Sequence, residues 1–225
     1  MSTKRATESF PYYVFDFYDG STLVGTLDRT QIVSFEIRRS IFSDKPTVGQ
    51  ANAGELTATF FMPAFTIPRM ARIEVGVIQG LSWNMLGVFF IDTRKYNPVD
   101  NTLTVHCYDA MLKCEQLCPA NGTDINVVNA IATAIGVSVH SSVTSAIVNA
   151  YSVPQKITKN RSAREILKMI GAAYGGSFYI TKGGFLGFAG FVIPAETFLL
   201  VNEDGDAIVF GSDRIIVGGI NVISV

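Results

Sequence analysis

The sequence predicts a β-rich α+β fold, and three observations carry the prediction. Among its 225 residues, 22 Val and 21 Ile stand against 12 Leu. That bias favours β-branched side chains, which suit a pleated, half-buried surface better than a helix. Residues 31–107 alternate apolar and polar positions with period two, as strands do. At Asp109 the period becomes helical, and strands resume after Gly175-Gly176. An α+β unit therefore sits between β-rich segments.

Within the first zone, Val33, Phe35 and Ile37 interleave with Ser34, Glu36 and Arg38, and Leu56, Ala58 and Phe60 with Glu55, Thr57 and Thr59. Ile73, Val75 and Val77 repeat the pattern, as do Leu103, Val105 and Cys107. Turn-like stretches at 43–54 and 97–101 separate these runs, which predicts an antiparallel barrel or sandwich. Asp109 is expected to cap a short helix through Leu117. Asp124 is expected to cap a second, with Val128, Ile131 and Ile135 on one face and Gly136 as its stop. Ser162 and Glu165 form an S-x-x-E capping box for a third, with Ile166, Ile170 and Tyr174 at helical spacing before Gly175-Gly176. SFYIT, the Lys182-Gly183-Gly184 turn and FLGFAGF read as a hairpin. The last zone, 206–225, holds two further strands, DAIVFG and RIIVGGINVISV, expected to pair with strands from 31–107.

Composition narrows the function classes. With 48% apolar and 16% charged residues and a net charge of -1, the chain is neither disordered nor a strongly basic nucleic-acid binder. The start, MSTKRATESFPYY, has no apolar h-region, and no stretch approaches the roughly 18 apolar residues a transmembrane helix needs, so no stable membrane insertion is expected. Three cysteines, Cys107, Cys114 and Cys118, do not make a disulfide framework.

The His, Cys and acidic residues form no recognisable catalytic or metal-binding pattern. His106 and Cys107, adjacent in a strand, point to opposite faces, and Cys114 with Cys118 is half a metal site, so buried small hydrophobes are expected. His140 has no nearby acid to orient it. Glu203, Asp204 and Asp206 flank Gly205 without EF-hand spacing and read as a turn. No glycine pair completes a phosphate-binding loop. The expectation is a chain that is not an enzyme and carries no cofactor and no metal.

Two double-aromatic strands stand out. In ATFFM and GVFFID, neighbouring side chains face opposite ways, so with Phe60 and Phe90 assigned to the core, Phe61, Phe89 and Ile91 face out. Either the inserted unit or terminal strands cover them, or they form a protein interface. Arg38 and Arg39, with Arg69 and Arg72, add a small basic group to the same sheet, read as solvated or partner-facing. The candidate interface residues are Phe61, Phe89, Ile91, Arg38 and Arg39.

Several phrases carry a family resemblance. SFEIRRSIF from Ser34, GQANAGELTATF from Gly49 and ARIEVGV from Ala71, then LGVFFIDTR from Leu86 and LTVHCYDAMLK from Leu103, resemble the first barrel of bacteriophage tail hub proteins. SAREIL from Ser162, its Gly-Gly stop and the hairpin match the usual next part, so the resemblance spans residues 15–225.

The family implies an antiparallel β-barrel interrupted by an inserted α/β domain with three helices and a β-hairpin. On that reading residues 1–108 begin the barrel, 109–200 are the insertion and 201–225 complete the barrel. The implied role is a structural hub or baseplate component, a homo-oligomeric ring at the distal end of the tail tube. Its implied partners are the tail tube or distal tail ring proteins and the tail spike or tip protein, in the virion tail assembled in the host bacterial cytoplasm. The family's second barrel would begin where the sequence ends, at Val225, so a trimer is expected before a hexamer. The alternatives are a mounting domain of a tail-associated cell-wall hydrolase and a carbohydrate-binding β-module, which would have the single tryptophan, Trp83, for its platform.

Overall fold

The structure, a computed structural model, describes residues 11–39, 48–148 and 151–190, together with the backbone of four two-residue strands between 198 and 217. The chain divides into two units, Met1–Gly190 and Phe191–Val225.

In the first unit seven strands form one antiparallel sheet: β1 (Tyr12–Asp19), β2 (Thr22–Leu27), β3 (Ile32–Arg38), β4 (Glu55–Phe61), β5 (Arg72–Gln79), β6 (Ser82–Asn97) and β7 (Thr102–Tyr108). Their order is β2-β1-β5-β6-β7-β4-β3. The β1-β2 hairpin precedes the first strand read from the sequence. The sheet curls until its ends share one core, with Phe15 of β1 edge-on to Phe35 of β3 at 5.3 Å and to Phe60 of β4 at 5.0 Å. Leu27, Leu56, Ile73, Val75, Val105 and Cys107 fill the same core.

The expected barrel is corrected to an open, curled sheet. The edge strands β2 and β3 follow one another in the chain, but no ladder joins them among the described residues, and closure requires a continuous ladder around the cylinder. Bulges alter the alternation locally. One between Ile32 and Ser34 leaves Val33, expected on the apolar face, exposed beside the buried-face residues Phe35 and Ile37.

The segment after β7 starts at Asp109, which caps a 3₁₀ turn over Ala110–Glu115, shorter than the predicted helix. Then come β8 (Gly122–Thr123), α1 (Asp124–Ile135), α2 (Ser141–Ala146), β9 (Ser152–Val153), α3 (Gln155–Thr158), α4 (Ala163–Ala173), β10 (Gly176–Ile180) and β11 (Leu186–Gly190). Val128, Ile131 and Ile135 are buried as their spacing predicts, and Gly136 ends α1 in the left-handed region at φ 76°. Thr123, not Asp124, occupies the cap position. Asp124 is instead the first helical residue and wholly buried, accepting from the N–H groups of Ile125 and Tyr151 and from the Tyr174 hydroxyl.

The capping box forms as predicted: the Glu165 N–H donates to Ser162 Oγ at 3.2 Å, and the Ser162 N–H to Glu165 Oε2 at 2.8 Å. The hairpin β10-β11 forms too, Gly184 taking φ 80° in its turn. Its edge recruits residues from the loop before β4. The Gly49 N–H donates to the Gly176 carbonyl at 2.7 Å and the Phe178 N–H to the Gln50 carbonyl at 2.9 Å. Ala51 consequently lies in the second core with Ile131, Leu167 and Phe178. Arg164 ties this strap down, donating to the Ala51 and Met111 carbonyls and pairing with Glu115 at 2.7 Å.

In the second unit, β12 (Phe198–Leu199) pairs with β15 (Ile216–Val217) and β13 (Val209–Phe210) with β14 (Asp213–Arg214), both antiparallel. The described ladders join these strands to one another. The Glu203, Asp204 and Asp206 turn, and most of the segment expected to complete the barrel, lie outside the described residues.

Candidate functional site

The five candidate interface residues do not share a face. Phe61 ends β4 and is 51% exposed. It lies on the outer side of the sheet, where Thr59 meets Thr104 at 3.0 Å and Thr57 meets His106 Nδ1 at 3.1 Å. That side is a polar Thr and His ladder rather than an apolar one, with Phe61 at its end. Met62 and, on the neighbouring strand, Val33 are also about half exposed. Sequence reading missed both, since a bulge and a strand end carry no periodic signal.

Phe89 and Ile91, expected to face out, are fully buried in the sheet core, which corrects that assignment. The reason is parity. Phe89 is paired with Ile73 and Ile91 with Cys107, both core residues, so the core-facing aromatic of GVFFID is the first Phe, as it is in ATFFM, where Phe60 pairs with Leu103. Phe90 points the other way, onto the second core, with Lys113 Nζ 3.6 Å above its ring. Residues of the segment 109–190 thus cover the outer side of β6 at Phe90.

Arg38 is exposed and paired with Glu36 at 2.8 Å. Arg39 turns inward, its guanidinium 5.2 Å from the centre of the Phe89 ring. Two glycines make room for it. A Cβ on Gly54 would stand 3.1 Å from Arg39 Cγ and 2.7 Å from Asp109 Oδ2, and a Cβ on Gly87 would collide with Arg39 Nη2. Asp109 is buried beside it, but its oxygens serve the backbone, accepting from the Gly54 N–H at 2.7 Å and the Met111 N–H at 2.9 Å. Burial pushes the Asp109 carboxyl up to about 6, against the pull of those two bonds and of Arg39 and Arg164. These residues border a cavity of about 230 Å³ between the sheet and the β10-β11 hairpin, lined also by Asn52, Tyr179, Thr181 and Lys182.

The cysteines and histidines are placed apart. Cys107 lies in the sheet core and Cys114 in the second core, where burial pushes both thiols up to about 12, so they stay protonated and inert; Cys118 is half-buried at the margin. His140 caps α2, its ring accepting from the Ser142 N–H at 3.2 Å. Among the described residues, no three His, Cys, Asp or Glu side chains gather as a metal ion requires, and no helix is long and apolar enough to cross a membrane.

No family model matches the sequence, and no curated protein does. Solved structures do match the fold. The 43 kDa tail protein of prophage MuSo2 from Shewanella oneidensis superposes with a TM-score of 0.53 at 15% identity, over 86% of this chain and 59% of that one. A tail protein from Neisseria meningitidis MC58 gives a TM-score of 0.53 at 10% identity, over 84% of this chain and 53% of that one. The fold is shared across the chain, which spans little more than half the length of either protein.

Proposed function

We propose that this chain is a structural component of a bacteriophage tail, and within the tail a hub or baseplate subunit that forms a ring at the distal end of the tube. The likeness in fold to two tail proteins over more than four fifths of the chain is the observation that carries the reading. It acts as a non-enzymatic part of the virion tail, assembled in the host cytoplasm, and joins the tube to the tip or spike.

The ring is a homo-oligomer, a trimer before a hexamer. Cyclic assembly suits a curled sheet whose edge strands β2 and β3 have no further partner among the described residues, because neighbours in a ring can cover edges that would otherwise invite open-ended pairing. Phe61, Val33 and Met62 offer the exposed apolar side chains at the sheet's outer end, and Arg38 adds an exposed cation on the same strand as Val33.

Gold-labelled antibody against this chain, applied to tails from its own host, tests the reading. Label confined to the distal tip is the expected result. Label along the tube, or none on intact tails, would overturn it. Light scattering over a concentration series then reads the ring's mass.

A further inference from the structure

The Arg39 guanidinium presents an unused hydrogen-bonding edge. Its Nε and Nη2 atoms are both shielded from water and neither has an acceptor among the described residues. Those two N–H groups project from one edge of the planar group, the fork that takes the two oxygens of a carboxylate side by side. Asp109 does not fill it: its oxygens accept from the Gly54 and Met111 N–H groups, and neither bonds to Arg39 Nε or Nη2. A desolvated donor pair without acceptors is unfavourable, and an entering acceptor relieves it.

The surroundings hold this edge in place. The Phe89 ring supports the guanidinium, and the bare Cα atoms of Gly54 and Gly87 leave the space it occupies. Nε lies 3.5 Å from where a Gly54 Cβ would stand, and Gly54 is on the cavity wall. The same wall carries a second cation, Lys182, with Asn52, Tyr179 and Thr181 as further polar groups, in a volume of about 230 Å³. That volume accommodates a short side chain or a small acid, not a cofactor.

We infer that this cavity is a carboxylate-binding site, in which the Arg39 Nε and Nη2 edge takes the two carboxylate oxygens and Lys182 supplies the second positive charge. The carboxylate comes either from a free small acid or from an acidic side chain of a neighbouring polypeptide. The site stands apart from the tail assignment and needs no particular ring.

The test follows the Arg39 Nε–H resonance of the full ¹⁵N-labelled chain, assigned by its loss in Arg39→Lys, during titration with sodium acetate and, at matched ionic strength, sodium chloride. The expected result is a saturable shift with acetate, absent with chloride and weakened in Lys182→Gln. A short peptide with one Glu and blocked termini separates the sources: half-saturation below that of acetate assigns a polypeptide side chain, and half-saturation above it assigns a free acid. A resonance that ignores acetate, or follows chloride equally, overturns the site.

Discussion

Phe89 and Phe90 are neighbours in β6 that belong to different hydrophobic cores. Phe89 is fully buried inside the curled sheet, under the Arg39 guanidinium, while Phe90 packs on the second core beneath Lys113. The two truncations should therefore differ. Phe89→Ala removes a wholly enclosed ring and should cost about 3–5 kcal/mol, whereas Phe90→Ala, at a half-buried site, should cost less than about 2 kcal/mol. Urea midpoints of the two variants measure both. Equal or reversed losses would give β6 the opposite parity.

That relationship also shows what the sequence could and could not tell. Period two identifies β3, β4, β5 and β7, and the capping box and glycine stops identify α1, α4 and the hairpin, because each signal is local. GVFFID revealed that β6 was buried on both sides. It did not reveal which Phe faced which core, since parity is set by the cross-strand partners Ile73 and Cys107, far away in sequence. Arg39 posed the same difficulty. It sits next to the exposed Arg38 and looked like part of a basic surface, and its burial depends on two glycines, Gly54 and Gly87, on other strands and loops. The β1-β2 hairpin was legible in the Asp19-Gly20 turn flanked by apolar runs, but went unread.

Cysteine reactivity should follow burial. Cys107 and Cys114 are enclosed and hold their protons up to about 12, and Cys118 is the accessible one. A thiol reagent at about pH 8 should modify Cys118 first and leave the other two until the chain is denatured. Mass spectrometry of the modified native protein checks the order. Replacing Cys114 and Cys118 together by Ala should leave the fold intact with a loss of about 1 kcal/mol, readable from the same urea curves.

Asp109 should make stability fall as pH rises through a mildly acidic window. Burial raises its carboxyl from an ordinary 3.8 to about 6, so between those values the folded chain holds a proton that the unfolded chain has released. Stability from this group is fully present below about pH 4 and lost by about pH 6, a change of up to about 3 kcal/mol at about 1.4 kcal/mol per pH unit. Denaturation midpoints measured across that window for the parent and Asp109→Asn should converge on one side and separate on the other. Parallel curves would mean that Asp109 titrates as an exposed acid does.

The α4 cap offers a cleaner measure of a single local interaction. Ser162 Oγ accepts the Glu165 N–H, and Ser162→Ala removes that acceptor from an otherwise exposed helix start. The expected loss is about 1 kcal/mol, with Ser162→Asp restoring most of it. No recovery in the Asp variant would argue that the side chain acts there by packing instead.

The last prediction concerns the two residues that most constrain Arg39. A methyl at Gly87 would meet Arg39 Nη2 and the Phe89 ring edge at once, and although the β5-β6 ladder has a bulge beside Gly87, its φ is not positive and does not itself require glycine. Gly87→Ala should therefore cost about 1–3 kcal/mol through overpacking alone. Part of that loss belongs to the guanidinium and part to the ring, and a double-mutant cycle separates them. In an Arg39→Ala background the guanidinium clash is gone, so Gly87→Ala should be less costly there by about 0.5–3 kcal/mol, the coupling expected of residues in contact. Additive losses would place the Arg39 side chain elsewhere and remove it from the cavity wall; a positive coupling with the folded baseline preserved fixes its guanidinium over Gly87, where its free edge borders the cavity.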